Sequence, residues 1–375
     1  MKFISSSNDL FRSLKSIYNV ININKKLPIL ETFLFKIKKK NILNITVSDL
    51  EITMRTQIKI NSINFGSAAI PSKILIEILK KIPEQPLTFI KEIDNKLKII
   101  SQNGEYNISI YSSEEYPKYS KLEKTDSFFI SEKKLLKIIN YTLFAVGNDD
   151  IRPVINGVFF EINYNISSFI STDTNLLVKY SIKEIFSKKK FFFIIPKKPL
   201  NLLKNNLNYT DKSVLIEYNK YNTSFLFQNK KLICTLINGN YPNYLSIINN
   251  NYNKILIINK NYFINSIKRV ILFSNLLTSQ ILLNFSKSQS KISSWDINSN
   301  NKAFEYLFCH YEGDPIEIGF NSKYLIEILS NINCDDIKLE MFNNKTSCRL
   351  TPIINLSKKE EILILIMPII YENIL

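Results

Sequence analysis

A step of 125 residues constrains this chain more than any other feature. The stretch F-F-F-I-I-P-K-K-P-L-N-L-L-K-N-N-L, Phe191–Leu207, joins an apolar run to an amphipathic segment through Pro196. The same device stands earlier as A-A-I-P-S-K-I-L-I-E-I-L-K-K around Pro71 and later as I-E-I-G-F-N-S-K-Y-L-I-E-I-L-S around Asn321; positions 71, 196 and 321 are 125 apart. Each copy reads as a strand, a stop and a helix, with proline tolerated at a helix's first turn because its missing N–H is no loss there. Other marks keep the step. Pro28 and Pro153 open apolar strands, Tyr116-Pro117 and Tyr241-Pro242 close their units, and Met367-Pro368 closes the third. An Asp near a strand end recurs at Asp49, Asp173 and Asp296. Such self-similarity predicts three similar domains, expected at residues 1–124, 125–250 and 251–375. Units of this size hold a core of their own, whereas 375 residues exceed what one core usually fills.

Each unit reads as strand, helix, several strands, helix, strands, an order that allows a unit to be a doubled half-unit. In the first, Lys2–Ser5 is a strand, and Ser7, Asn8 or Asp9 caps a helix to about Val20 with Leu10, Leu14 and Ile17 on its apolar face. Ser131 caps the first helix of unit two, and unit three opens with a strand at Ile255–Ile258 and the helix N-Y-F-I-N-S-I-K-R-V-I-L-F-S. The polar stretches Tyr119–Ser127 and Ile247–Lys254 are the natural boundaries, too short and too poor in glycine to let the domains swing.

Catalytic chemistry finds little support. His310 is the only histidine, which disfavours triads and His-rich metal sites, and no phosphate-cradling glycine loop or nucleophile elbow occurs. The pairs Asp149-Asp150 and Asp335-Asp336 offer a hard cation some oxygen, but adjacent loop acids are ordinarily solvated, so neither metal nor cofactor is expected. Cys234, Cys309, Cys334 and Cys348 lack metal-ligand spacing and read as buried reduced thiols. The start M-K-F-I-S-S-S-N-D-L lacks a signal peptide's apolar stretch, and no run nears the ~18 apolar residues that span a bilayer. A cytoplasmic location is expected.

The 49 Lys+Arg outweigh 33 Asp+Glu, for a net charge of +16, which points to an anionic partner. Drift in an AT-rich genome is the competing source, since Ile, Asn, Lys, Phe and Tyr crowd the chain. Position says more than number. Arg12 and Lys15 go with Lys73, Lys80 and Lys81; Lys133, Lys134 and Lys137 with Lys197, Lys198 and Lys204; Lys260, Lys268 and Arg269 with Lys323. If all these helices faced one way, they would present one cationic surface suited to phosphates and indifferent to base sequence.

The stretches M-K-F-I, L-P-I-L-E-T-F-L-F, S-D-L-E-I-T-M, I-P-S-K-I-L-I-E-I-L-K-K, E-E-Y-P-K-Y, R-P-V-I-N-G-V-F-F-E with S-T-D, I-G-F-N-S-K-Y-L-I-E-I-L and I-M-P-I follow one another along the whole chain. Together they resemble the bacterial sliding clamps, the beta subunits of DNA polymerase III. The resemblance implies an α+β fold of three repeated clamp domains, helices lining a central hole and sheets outside, with two copies closing head to tail into a ring around duplex DNA. It implies a non-catalytic processivity factor that tethers the replicative polymerase, with polymerase and clamp-loader subunits docking through short peptide motifs. DNA contacts would fall to Arg12, Lys15, Lys25, Lys73, Lys80, Lys134, Lys137, Lys197, Lys198, Lys268 and Arg269. The peptide pocket would use Ile155, Thr172, Leu176, Leu177, Pro242, Ile247, Leu365, Ile366, Met367 and Pro368. Ring closure would set Tyr106 and Ile108 against Leu272 and Phe273 of the other copy.

Three departures from the family's pattern bear on the pocket. Thr174-Asn175-Leu176 stands where many members have G-H-R, Ser246 replaces an arginine of some, and the chain runs on past Pro368 as I-I-Y-E-N-I-L. A more apolar pocket, or one partly covered by its own tail, is expected. The high positive charge also departs from relatives that are acidic outside. The competing reading from another class is a β-rich interaction scaffold that no longer encircles DNA; a remoter one is an enzyme using the paired aspartates with a metal.

Overall fold

The computed structural model describes residues 1–22, 27–118, 122–123, 125–185, 190–248, 251–296, 299–353 and 359–369. Among them run six α-helices: α1 (Ser7–Tyr18), α2 (Ser72–Lys81), α3 (Glu132–Thr142), α4 (Lys197–Lys204), α5 (Lys260–Val270) and α6 (Ser322–Asn331). Every one begins directly where a strand ends. In α1 the strand Lys2–Ser6 runs one residue further than the hydrophobic pattern indicates, so Ser6 is the cap and its hydroxyl accepts from the Asp9 N–H at 3.4 Å. Leu10, Leu14 and Ile17 are buried along one face, as their spacing requires. Ser131 caps α3 through the Lys134 N–H, and the Asn321 side chain caps α6. Pro71 and Pro196 correct the expectation of proline inside the first turn: both are the last residue of a strand. Pro199 holds that first-turn place in α4.

The strands form six three-stranded meanders, two per sequence repeat: 32–59, 86–109, 157–182, 213–235, 280–307 and 336–366. Long-range contacts divide the chain into two compact units, Met1–Leu136 with Lys198–Leu236, and Lys137–Lys197 with Ile237–Leu375, so the central repeat contributes to both. The first unit holds a five-stranded sheet ending on Glu105–Ser109 and an eight-stranded sheet in which Ile52–Lys59 pairs with Lys230–Thr235. The second holds a nine-stranded sheet in which Leu176–Ile182 pairs with Glu360–Ile366, and a four-stranded sheet ending on Asn301–Leu307. All strand pairings among the described residues are antiparallel, with one face of each strand set into a core of Phe, Ile and Leu. In the first unit Phe3 stacks on Phe89 at 4.8 Å. In the second, Gly157 lies so close to the neighbouring strand that a Cβ would stand 2.4 Å from the Ile195 carbonyl oxygen, which excludes any other residue there.

Cys234, Cys334 and Cys348 are buried as expected, and burial pushes the Cys348 thiol up to about 12. Cys309 is only half-buried, a correction that follows from its place just past an edge strand. No helix of the described residues is long and apolar enough to cross a membrane.

Candidate functional site

The basic residues that the resemblance assigns to DNA contact fall into two groups. Arg12, Lys15, Lys73, Lys80 and Lys268 are exposed and, among the described residues, have no carboxylate partner. The others are engaged. Lys198 is held by the Asp49 carboxylate at 2.5 Å and the Val20 carbonyl at 3.1 Å. Lys137 is held by the two Glu360 oxygens at 2.9 and 3.0 Å. Lys197 donates to the Val146 carbonyl at 3.3 Å, and Lys134 is half-buried. Arg269 forks onto both oxygens of Glu305 at 2.7 Å, which holds that carboxyl below its usual range. A guanidinium committed to a bidentate carboxylate is poorly placed to take a phosphate as well. Lys25 lies outside the described residues.

The apolar residues expected to form a pocket are brought together on the second unit, but on two faces of one sheet. Thr172 stands opposite Leu177, and Leu177 opposite Leu365, so these three share a face. Leu177 and Leu365 cluster there with Ile170, under Phe159, Tyr241, Tyr244, Ile248 and Leu363. Leu176 and Ile366 pair one step along the same strands, so their side chains point to the other face, where both are 1% exposed or less. Ile155 is likewise buried. Ile247, 44% exposed, Met367, 36%, and the exposed Pro242 leave an accessible apolar rim. The aromatic walls were missed in the sequence. In the sequence Tyr241 marks only the end of a repeat, yet it stacks on Phe159 at 4.8 Å, and Tyr244 donates to Glu161 at 3.0 Å.

The loop Thr174-Asn175-Leu176 carries backbone strain. Thr174 has φ +83°, a left-handed conformation that a β-branched residue adopts only under strain. It is held by the Asp173 carboxylate, which accepts from the Asn175 and Leu176 N–H groups at 3.0 and 2.7 Å, and by Thr172, which donates to the Leu176 carbonyl. The Asn175 amide reaches the Tyr324 hydroxyl at 3.1 Å. The tail beyond Ile369, whose partial cover of the pocket was one of the two expectations, lies outside the described residues.

The third feature, among the described residues, is a pair of bare edges. In four of the six meanders the third strand pairs with the third strand of another meander: Ile52–Lys59 with Lys230–Thr235, and Leu176–Ile182 with Glu360–Ile366. The third strands Glu105–Ser109 and Asn301–Leu307 end their sheets instead. Along the second edge the side chains are apolar and uncovered: Phe304 is 54% exposed, Tyr306 50% and Phe308 83%. The turn after α5 is bare too, with Leu272 at 78% and Phe273 at 41%, whereas in the matching turn after α3 Phe144 is half-buried and Ala145 is 1% exposed. On the first edge Tyr106 is half-buried, and Ile108, at 4%, packs into its own core and offers little surface to a second copy. The Asp149 carboxylate is taken by Arg152 and the Ile151 N–H, and no cluster of three metal-ligating side chains occurs among the described residues.

This architecture has close counterparts. A Bartonella birtlesii sliding clamp, solved bound to griselimycin, superposes with a TM-score of 0.93 at 22% identity, covering 99% of this chain and 100% of that one. The Bacillus subtilis DNA polymerase sliding clamp gives 0.92, also at 22% identity and with the same coverage. The fold is therefore the three-domain, α+β sliding-clamp fold. Models of the N-terminal, central and C-terminal domains of the DNA polymerase III beta subunit match residues 1–120, 129–243 and 245–369. The beta sliding clamp of Buchnera aphidicola subsp. Rhopalosiphum padi is 29% identical and that of Haemophilus influenzae 24%, each over 93% of this chain and 95% of the relative. The chain belongs to the DNA polymerase III beta subunit family, the beta sliding clamps.

Proposed function

We propose that this chain is a DNA sliding clamp. Two copies close head to tail around duplex DNA, and the ring tethers a replicative polymerase so that synthesis is processive. The observation that carries the reading is the pair of unpaired third strands. Each internal seam uses the same register. Thr53 meets Ile233 in one and Leu177 meets Leu365 in the other. Their counterparts on the bare edges follow from the ladders. Ser48–Thr53, Thr172–Leu177 and Trp295–Lys302 are matching hairpin pairs. Ile90–Lys98–Asn107, Glu217–Ser224–Ile233 and Glu340–Arg349–Leu365 are matching rows. Lys302 of one copy should therefore stand opposite Asn107 of the other, with Ala303 opposite Tyr106 and Phe304 opposite Glu105. That pairing satisfies the open backbone groups of both edges and covers Leu272 and Phe273. A head-to-tail contact made twice closes a ring.

The three sequence repeats, at 1–124, 125–250 and 251–375, then act as six clamp domains around the DNA. Arg12, Lys15, Lys73, Lys80 and Lys268 supply phosphate contacts that are weak and salt-screened. Such contacts suit sliding, because tight base readout would stall it. The polymerase and the loader dock by short peptides on the rim around Leu177, Leu365, Ile247 and Met367, and tethering raises the local concentration of polymerase at the primer end. The ring's work is topological rather than chemical, and it is done in the cytoplasm where the DNA is. The test is retention: protein loaded on a nicked circular duplex should stay through gel filtration and be lost when the circle is linearised. Equal retention on both forms would show binding without encirclement and sink the reading.

A further inference from the structure

On the first unit, α1, α2 and the chain just past α4 enclose a cleft of about 550 Å³. Phe11, Tyr18 and Ile76 give it an apolar wall, and Arg12, Lys15 and Lys80 bring three cations to it. Asn19 and Asn205, both exposed, add amide donors and acceptors, and none of the described lining residues is acidic. The α1 contribution follows from helical spacing: residues 11, 15 and 18 form a stripe beside the buried face of Leu10, Leu14 and Ile17. The base of the cleft is pinned by Asn206. Its amide donates to the Ser16 and Leu202 carbonyls at 2.9 Å each, and its oxygen accepts from Lys230 at 2.8 Å. Lys15 Nζ lies 6.0 Å from the centre of the Phe11 ring, so cation and flat apolar surface adjoin.

Three cations without a carboxylate, beside aromatic faces and free amides, suit an anion that carries a planar ring. We propose that this cleft holds an unpaired base with its flanking phosphates, that is, a single-stranded stretch of DNA adjoining the duplex. A duplex engages the cations alone, because its base faces are already stacked on one another; an unpaired base gains a stacking partner in Phe11 or Tyr18. The volume lies in the range of small-ligand sites. The proposal rests on the clamp reading only for the presence of DNA.

The test uses the full-length protein and fluorescence anisotropy with two probes: a labelled oligothymidylate of about ten nucleotides, a length in the range of single-strand site sizes, and a blunt duplex of equal length. Phe11→Leu with Tyr18→Leu should weaken oligothymidylate binding roughly tenfold and leave duplex binding unchanged. Equal affinity of parent and variant for the oligothymidylate, or equal losses on both probes, would overturn the proposal. So would polyglutamate competing as well as unlabelled oligothymidylate at equal charge. A second measurement needs no variant: 2-aminopurine in the single strand should be quenched on binding the parent protein, and an unchanged emission would overturn the stacking. Retention on nicked circles is read separately, so failure of ring closure and failure of the cleft are distinguishable.

Discussion

Replacing both Leu272 and Phe273 by aspartate should turn the ring into folded single chains, with a cost that follows from how bare these side chains are. Full burial of such a side chain contributes roughly 1.5–3 kcal/mol. Leu272 is 78% exposed, so covering it is worth about 1.2–2.3 kcal/mol. Phe273 is 41% exposed, which adds about 0.6–1.2 kcal/mol. Each seam then loses roughly 2–3.5 kcal/mol and the two seams of a ring roughly 4–7 kcal/mol. At 1.4 kcal/mol per factor of ten, ring dissociation should become about 10³–10⁵ times more favourable. The carboxylates add to this, since neither can be buried there without a partner. Sedimentation velocity over a concentration series reads the association midpoint, and circular dichroism checks that the monomer is folded. A double variant that stays dimeric with an unchanged midpoint would refute the seam and the register drawn from it.

Further outcomes are expected. Neutralising Arg12, Lys15 and Lys80 with glutamine should reduce the slope of log K against log salt for duplex binding by roughly 2–3, measured by anisotropy titrations, while leaving the dimer midpoint alone. Thr174→Gly relieves a left-handed cost of about 1–2 kcal/mol and returns about 0.5–1 kcal/mol as unfolded-chain entropy. A net gain of up to about 1.5 kcal/mol, seen as a higher urea midpoint at constant slope, is expected; a lower midpoint would mean that the threonine is not strained. Glu305 is held below its usual range by the Arg269 fork, so its folded pKa lies under its unfolded one. Its stabilisation is present above the unfolded value and is lost as pH falls through the folded one. Glu305→Gln should therefore narrow the stability gap between parent and variant in acid, and a gap independent of pH would remove the ion pair as its cause.

How much of this was legible in the sequence differs by feature. The threefold repeat was readable because one local pattern recurs at a fixed step, and the helix face of Leu10, Leu14 and Ile17 and the cap at Ser131 were readable because each depends on residues within a turn or two of one another. So were the exposed cations of α1 and α2, whose helical spacing sets them beside the buried stripe. The pocket was half legible. Its strands could be located, and alternation sets Leu176 and Leu177 on opposite faces, but the sequence could not say that the next strand of the sheet is Glu360–Ile366. Tyr241 and Tyr244 as walls had no local signal, since nothing near them in the chain shows that they fold over Leu177.

The chain's own residues determined where helices and strands form, how often the pattern recurs, and which faces are apolar. Tertiary structure alone decided which strands meet. Strand pairing satisfies backbone groups that are the same in every residue, so Ile52–Lys59 carries no label naming Lys230–Thr235 as its neighbour. The same holds for charge: Arg269 and Lys198 looked like the other helix cations until folding set Glu305 and Asp49 against them. Only in the folded chain do four third strands find partners and two remain bare, and the two that remain bare are what lead to a second copy.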